Sequence, residues 1–292
     1  MHKPTAQKMV IDIVFIGPML LLFSIFIMLP FVRSIIYSFQ DWNGISSVTH
    51  WVGWENYVNL LKDANFARTL SFSLKYAIAT VLAFNSIGLL LAVALNMGLR
   101  TRNLLRTAFF LPTVMGILVV GYLWNFIIKN VFPLIGDLTG FEIFRQNWFV
   151  SPDYAFWAIV LVTLWQGVGY YIIIYLAGLQ GVPNDLVEAA QIDGAGRWTR
   201  FWTIILPLIR PSLTICLFLS IVNGFKSFDI NFSLTMGGPF GTTESISYQI
   251  YQDAFNKDMF SYASAKAVVF FLVLALLSVI QVAAMKRKEV EA

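Results

Sequence analysis

Two polar stripes interrupt otherwise apolar stretches of this chain, and they are its best candidates for chemistry. Thr163, Gln166, Gly167 and Tyr170 fall at i, i+3, i+4 and i+7, and Ser220, Asn223, Gly224 and Ser227 repeat that spacing. On a helix each set occupies one face. Amides and hydroxyls beside an aromatic ring suit the hydrogen bonding and stacking of a sugar-like solute. The same residues could form a packing seam, where small and hydrogen-bonding side chains bring helices together. Gln166, Tyr170 and Asn223 are larger and more polar than a seam needs. Trp165, Tyr122, Trp124 and Asn125 are weaker candidates. Bond-breaking chemistry finds no support. There is no Ser/His/Asp or Cys/His set, no HExxH helix and no Walker A or other phosphate-cradling glycine loop. His2 and His50 lie far apart, and the single cysteine, Cys216, sits in an apolar run. No catalytic residue, metal site or internal disulfide is expected, and Cys216 reads as a small buried hydrophobe.

The elements that carry the stripes belong to a membrane. Of 292 residues, 58% are hydrophobic and 12% charged, with mean hydropathy +0.71, which excludes a soluble globular class. A net charge of +4 is too small for a nucleic-acid partner. Six uncharged runs follow: Ile13–Val32, Tyr76–Leu99, Thr107–Ile128, Tyr154–Asn184, Pro211–Phe225 and Ala267–Met285. About 20 apolar residues cross a bilayer, so most qualify unaided. The fifth is short and must extend through Lys226 and Asp229, which could pair at i, i+3. The expectation is an all-α integral membrane protein, one domain over residues 1–292. Its six transmembrane helices should lie near 12–39, 72–98, 105–129, 154–179, 208–231 and 262–285. The first run, long and carrying Pro18 and Pro30, is not a cleaved signal peptide. The carboxylates are expected mostly at surface-type positions in loops or at helix ends.

Between the fourth and fifth spans lies a polar segment, Val182–Pro211. Pro183-Asn184-Asp185 marks a helix start, with Asp185 and Glu188 spaced like a capping box. Leu186–Ile192 should be helical, Gly194 should stop it in a left-handed turn, and Trp198–Ile205 should be a second helix. Lys/Arg placement orients the chain. Lys3, Lys8, Arg100, Arg102, Arg106, Arg197, Arg200, Arg210, Lys286, Arg287 and Lys288 fall on one side in short segments. Both termini and Val182–Pro211 are therefore expected in the cytoplasm. On the other side, Trp42, Trp51, Trp54, Tyr57 and Trp148 are either an interfacial belt or a docking surface for an external protein. Gly237-Gly238-Pro239 should break the chain after the fifth span, and Tyr248–Phe260 should be a helix along the outer surface.

The string EAAQIDGAGRWTRFWTIILPLIRP, from Glu188-Ala189-Ala190 through Gly194 to Leu206-Pro207, resembles the EAA loop of binding-protein-dependent ABC import permeases, the sugar-importing branch in particular. Thr235-Met236-Gly237-Gly238-Pro239 with Thr242-Thr243-Glu244 resembles the TxGGP segment of one of two paired sugar permeases. The resemblance implies a type I ABC importer permease fold in a bacterial cytoplasmic (inner) membrane, spanned several times. It makes 182–207 the coupling loop, with Glu188, Ala189, Ala190, Asp193, Gly194 and Ala195 against an ATPase subunit. It also implies a heterodimer with a second homologous permease, two ATPase subunits and an extracytoplasmic sugar-binding protein, all in a lipid membrane. The chain would hold no cofactor; ATP–Mg would sit on the ATPase subunits. By the same resemblance the fourth and fifth helices line the translocation cavity. Departures from the maltose relative are two missing N-terminal spans and no large second outer loop. An ion-coupled secondary transporter and a membrane-embedded enzyme are the alternatives.

Orientation is directly testable. In a Cys216→Ala background, cysteines at His50, Gly140 and Thr243 should label from outside with an impermeant thiol reagent. One at Thr199 should label only after the cells are opened; labelling of Thr199 in sealed cells reverses the topology.

Overall fold

The computed structural model describes residues 6–97 and 100–286. The expected cytoplasmic placement of the termini falls partly on residues 1–5 and 287–292, outside the described residues. Among the described residues, five helices are long and apolar enough to cross a membrane: α1 (Val14–Tyr37), α2 (Ala64–Asn96), α4 (Ile117–Thr139), α5 (Pro152–Gln180) and α9 (Phe260–Met285). A bent pair, α7 (Arg197–Leu208) and α8 (Arg210–Phe225), makes a sixth if counted as one span. Two shorter helices, α3 (Arg102–Val114) and α6 (Asn184–Ile192), complete the frame.

The described residues divide into two compact units, one within 64–249 and 272–286, the other within 6–63 and 250–271. In the first, α2, α5 and α8 pack on one another, and α3 lies along α5. The α3–α5 approach depends on Gly169, where any Cβ would collide with the Phe109 carbonyl. Polar side chains stitch the bundle internally. Tyr175 donates to Asn85 Oδ1 (2.6 Å), and Asn85 donates to Ser220 Oγ (3.0 Å). Tyr76 donates to Thr163 (2.8 Å). Each bond satisfies groups that lipid could not.

Two expected spans differ from the structure. The third is not one helix over 105–129. It breaks at Met115–Gly116, both extended, and restarts at Ile117. Pro112 lacks the N–H a helix needs and Gly116 is costly inside one, but the run stays uncharged throughout, so hydropathy is blind to the break. The fifth does not continue through 231. Its helix ends at Phe225, residues 226–228 are unwound, and helical geometry resumes at 229–235. Ser245 Oγ donates to the freed Ser227 carbonyl, Ser227 donates to Asn231 Oδ1 (2.5 Å), and Asn231 donates to the Thr243 carbonyl (2.7 Å). These bonds let the break stand in an apolar medium. Lys226 and Asp229 are consequently not on one helix and form no ion pair.

Other expectations change with burial. Trp148 is no interfacial ring: it is 7% exposed, packs on Phe132 and Tyr154, and donates Nε1 to the Ile143 carbonyl (2.9 Å). The Tyr248–Phe260 segment is helical over Ile246–Tyr251 and continues as a wide turn to Asn256; Tyr248, Gln249, Asp253 and Ala254 are buried, and only residues 255–259 are exposed. After Thr235 the chain turns through Met236, Gly237, Phe240 and Gly241, all at positive φ. Thr243 is fully buried there, so the outer label belongs on Phe240, which is 86% exposed.

In the second unit, Phe39 gathers Trp51, Trp54 and Tyr57 within 5.6 Å between centroids, beside a two-residue antiparallel hairpin (Gln40–Asp41 with His50–Trp51). Trp51 and Trp54 keep faces in the open, at 67% and 68% exposure. Behind them lies a buried charge cluster that the surface-type expectation missed. Lys266, 1% exposed, meets Asp253 Oδ2 at 2.6 Å and Asp63 Oδ2 at 3.2 Å. Tyr262 donates to Asp63 (2.8 Å), and Lys257 meets Asp253 Oδ1 at 2.7 Å. Removing one member of a buried pair strands the other, a loss of roughly 3–5 kcal/mol. Lys266→Met should therefore lower the thermal midpoint of detergent-solubilised protein, followed as loss of the monodisperse peak. Pairing it with Asp253→Leu should recover part of the loss; an unchanged midpoint for the single variant shows that the cluster contributes nothing.

Candidate functional site

Between α2, α5, α8 and the 226–230 stretch lies a cavity of about 290 Å³. Its walls are built from the two stripes. Thr163, Gln166, Gly167 and Tyr170 come from α5, and Asn223, Gly224 and Ser227 from α8 and its unwound end. The i, i+3, i+4, i+7 spacing aims the first four at one face, as a helix requires. Ser227 reaches the cavity although it is off the helix, because the chain unwinds immediately before it. Ser220 does not line the cavity: it is fully buried, donates to the Leu217 carbonyl (3.0 Å) and accepts from Asn85. It belongs to the packing seam.

The lining residues divide by their existing partners. Thr163 accepts from Tyr76, and Gln166 donates to the Met115 carbonyl (3.2 Å), bridging the α3–α4 break. Thr113 donates to the Gln166 carbonyl (2.8 Å) on the same seam. Gly224 lets α8 lie on Ala77 and Thr80, where a Cβ would come within 3.0 Å of Ala77 Cα. Gly167 leaves room for the Phe84 ring. Tyr170 and Asn223 are exposed to the cavity, with Tyr170 at 44%. Among the described residues Tyr170 has no hydrogen-bond partner, and Asn223 has only the neighbouring Tyr171 hydroxyl.

Sequence reasoning missed several lining residues. Tyr76, Thr80, Phe84 and Tyr171 sit in apolar-looking runs without a distinguishing signal. Lys226 and Asp229 carried one, as ionisable residues at the end of a span, but read as a mutual pair. Each sits where a helix end favours its charge: Lys226 caps the C-terminus of α8, and Asp229 opens the next helical stretch. Of the weaker candidates, Asn125 donates to the Leu234 carbonyl (2.5 Å). Trp124 and Trp165 line a separate apolar pocket with ring centroids 5.5 Å apart. Tyr122 is 48% exposed and outside the cavity.

The loop between α5 and α8 has its own geometry. α6 begins after Pro183, which has no side chain to cap it, so Asp185 and Glu188 form no capping box and the Pro ring alone sets the entry. The helix ends in a two-bond cap: Ala195 N–H donates to Ala190 (2.9 Å) and Gly194 N–H to Gln191 (3.1 Å). Gly194 has φ +81°, as a left-handed stop demands, with open space where a side chain would project. Arg200 donates to Gln191 Oε1 (2.7 Å) and ties α7 back to α6. Glu188, Ala189, Asp193 and Gly194 are exposed, and Ala190 and Ala195 half-buried. Ile192 and Trp198 are 86% and 76% exposed, an apolar surface on a polar loop.

In a Cys216→Ala background, cysteines at Tyr170 and Asn223 should react with a small hydrophilic thiol reagent, and one at Ser220 should resist it at least tenfold longer. Equal rates at all three positions would mean that the cavity does not open to water.

The model of the family described as "binding-protein-dependent transport system inner membrane component" matches residues 84–289. A probable starch degradation products transport system permease protein of Thermoanaerobacterium thermosulfurigenes is 42% identical over 95% of this chain and 94% of its own. A multiple sugar-binding transport system permease protein of Streptococcus mutans is 32% identical, covering 93% of each. Among solved structures, a bacterial ABC transporter involved in import of the acidic polysaccharide alginate has a chain that superposes with a TM-score of 0.83. Its identity is 21%, and the match covers 96% of this chain and 98% of that one. That likeness is one of fold over nearly the whole of both chains.

Proposed function

This chain belongs to the family of binding-protein-dependent transport system inner membrane components, and on that premise we propose that it is the permease subunit of an ATP-driven importer of carbohydrate. The observation that carries the reading is the combination of a polar cavity between α5 and α8 with an exposed loop joining those two helices. Force applied to the loop is delivered to both walls of the cavity. The relatives named for starch products and for multiple sugars support a saccharide as the solute. The family membership decides against an ion-coupled secondary carrier.

The proposed assembly pairs this chain with a second, homologous permease, two ATPase subunits and a solute-binding protein on the far side. It lies in the bacterial cytoplasmic membrane with both termini and the α6–α7 loop in the cytoplasm. The chain itself needs no cofactor; ATP–Mg binds the ATPase subunits. Their closure on ATP draws the α6–α7 loops together and switches the cavity from inward- to outward-facing, ready for sugar released by the binding protein. Ile192 and Trp198 provide apolar contact for the ATPase cleft, as exposed apolar groups at an interface do. Glu188 meets a basic or polar partner, and the Ala190–Gly194 backbone, held by its cap, transmits the stroke. Tyr170 and Asn223 contact the sugar, each hydrogen bond contributing roughly 0.5–1.5 kcal/mol.

Two substitutions separate coupling from folding. Gly194→Trp adds bulk where nothing among the described residues lies within 4 Å of the added Cβ, at a strain of about 1 kcal/mol or more. Glu188→Lys reverses a charge that has no partner among the described residues. Both should insert and assemble normally yet lose transport and binding-protein-stimulated ATP hydrolysis. Wild-type stimulation in both would sink the coupling role.

A further inference from the structure

We propose that Lys226 and Asp229 make the cavity selective for uncharged saccharides over acidic ones, an inference that rests on the carbohydrate reading above. Both residues line the cavity. Lys226 is exposed and Asp229 half-buried, and no hydrogen bond or ion pair engages either charged group among the described residues. Their places at matching helix ends account for why the two charges persist without pairing to each other. That stabilisation does not call for a cavity around them. A second observation concerns the same wall. The Tyr171 hydroxyl, on a residue 2% exposed, has the Asn223 side chain beside it, and Asn223 is itself exposed to the cavity. An incoming hydroxyl can share that pair, since amide and phenol each keep further donor or acceptor capacity.

The groups that face the cavity form one set: an ammonium at Lys226, a carboxylate at Asp229, the Tyr170 hydroxyl and the Tyr171–Asn223 pair. A neutral sugar uses all of them. Adjacent hydroxyls donate to the carboxylate, while a hydroxyl or ring oxygen accepts from the ammonium and from tyrosine. An acidic sugar gains one attraction at Lys226 but brings its own carboxylate beside Asp229, three residues on. Phe84, Ile117 and Ile230 share the lining. Apolar walls weaken screening and sharpen both the attraction and the repulsion. The carboxylate acts by exclusion, since specificity is a difference of affinities and a repulsive element contributes to it.

The test uses the assembled transporter with its binding protein in cells, at matched membrane levels. Uptake is measured for a panel of short neutral oligosaccharides and their glucuronate-terminated counterparts. The wild type should favour the neutral member of a pair by about tenfold or more, the size of one charged contact. Asp229→Asn should narrow that ratio at least threefold by admitting the acid. Lys226→Gln should slow both sugars without favouring the acid, and Tyr171→Phe should slow both and leave the ratio as it was. The binding protein is the same in every strain, so a changed ratio belongs to the cavity. If Asp229→Asn fails to accumulate, Asp229→Ser replaces it. A wild type that prefers the acidic sugar, or an unchanged ratio when Asp229 is neutralised, overturns the proposal. Uptake of no saccharide by the wild type is a different failure: it overturns the carbohydrate reading, and this inference falls with it.

Discussion

Within a bilayer, a backbone N–H or C=O without a partner costs several kcal/mol, because no water is there to take it. Most of what is distinctive in this protein follows from how that constraint is met where helices stop. At 226–228 the carbonyl of Ser227 is taken by Ser245, and Asn231 bridges Ser227 to Thr243. At 115–116 the Met115 carbonyl is taken by Gln166. Both breaks border the cavity. Unwound backbone at membrane depth survives where protein can satisfy it, and the polar groups recruited for that purpose also make the neighbouring space hydrophilic.

The polar residues of α5 and α8 therefore divide their work. Ser220 is used up in holding α8 on α2 through Asn85, and Thr163 and Gln166 are partly committed to neighbours. Among the described residues Tyr170 and the charged residues at the break keep free groups, and Asn223 is engaged only by Tyr171 while remaining exposed to the cavity. A packing seam and a solute-binding face are thus both present on the same two helices. The difference between them is whether a side chain has already found a partner.

The α6–α7 loop obeys a different rule. It is held within itself by the Gly194 cap and the Arg200–Gln191 bond, while Ile192 and Trp198 are left uncovered. Internal rigidity with an open apolar face is what a lever needs: it must transmit displacement without absorbing it, and must be gripped from outside. Only residues 181–183 separate α5 from α6, and α7 meets α8 at a 71° bend, so a displacement of the loop has a short path to the cavity walls.

Composition by itself determined that this chain is a bundle of membrane helices, since an apolar run long enough to cross a bilayer has few other fates. The left-handed stop at Gly194 was legible too, because a helix followed by glycine leaves little choice of backbone. The same holds for the single-faced stripes, whose spacing is a property of any helix. Tertiary structure alone decided which stripe residues meet the cavity. Ser220 and Asn223 have the same period and similar chemistry, yet one faces Asn85 and the other open space. It also decided where the third and fifth spans break, because a break in lipid depends on distant partners such as Gln166 and Ser245 that no local window contains. The Lys266–Asp253–Asp63 cluster was hidden for the same reason. Asp63 lies 203 residues before Lys266 and Asp253 lies 13 before it, and their burial is tolerable only once folding has brought them together.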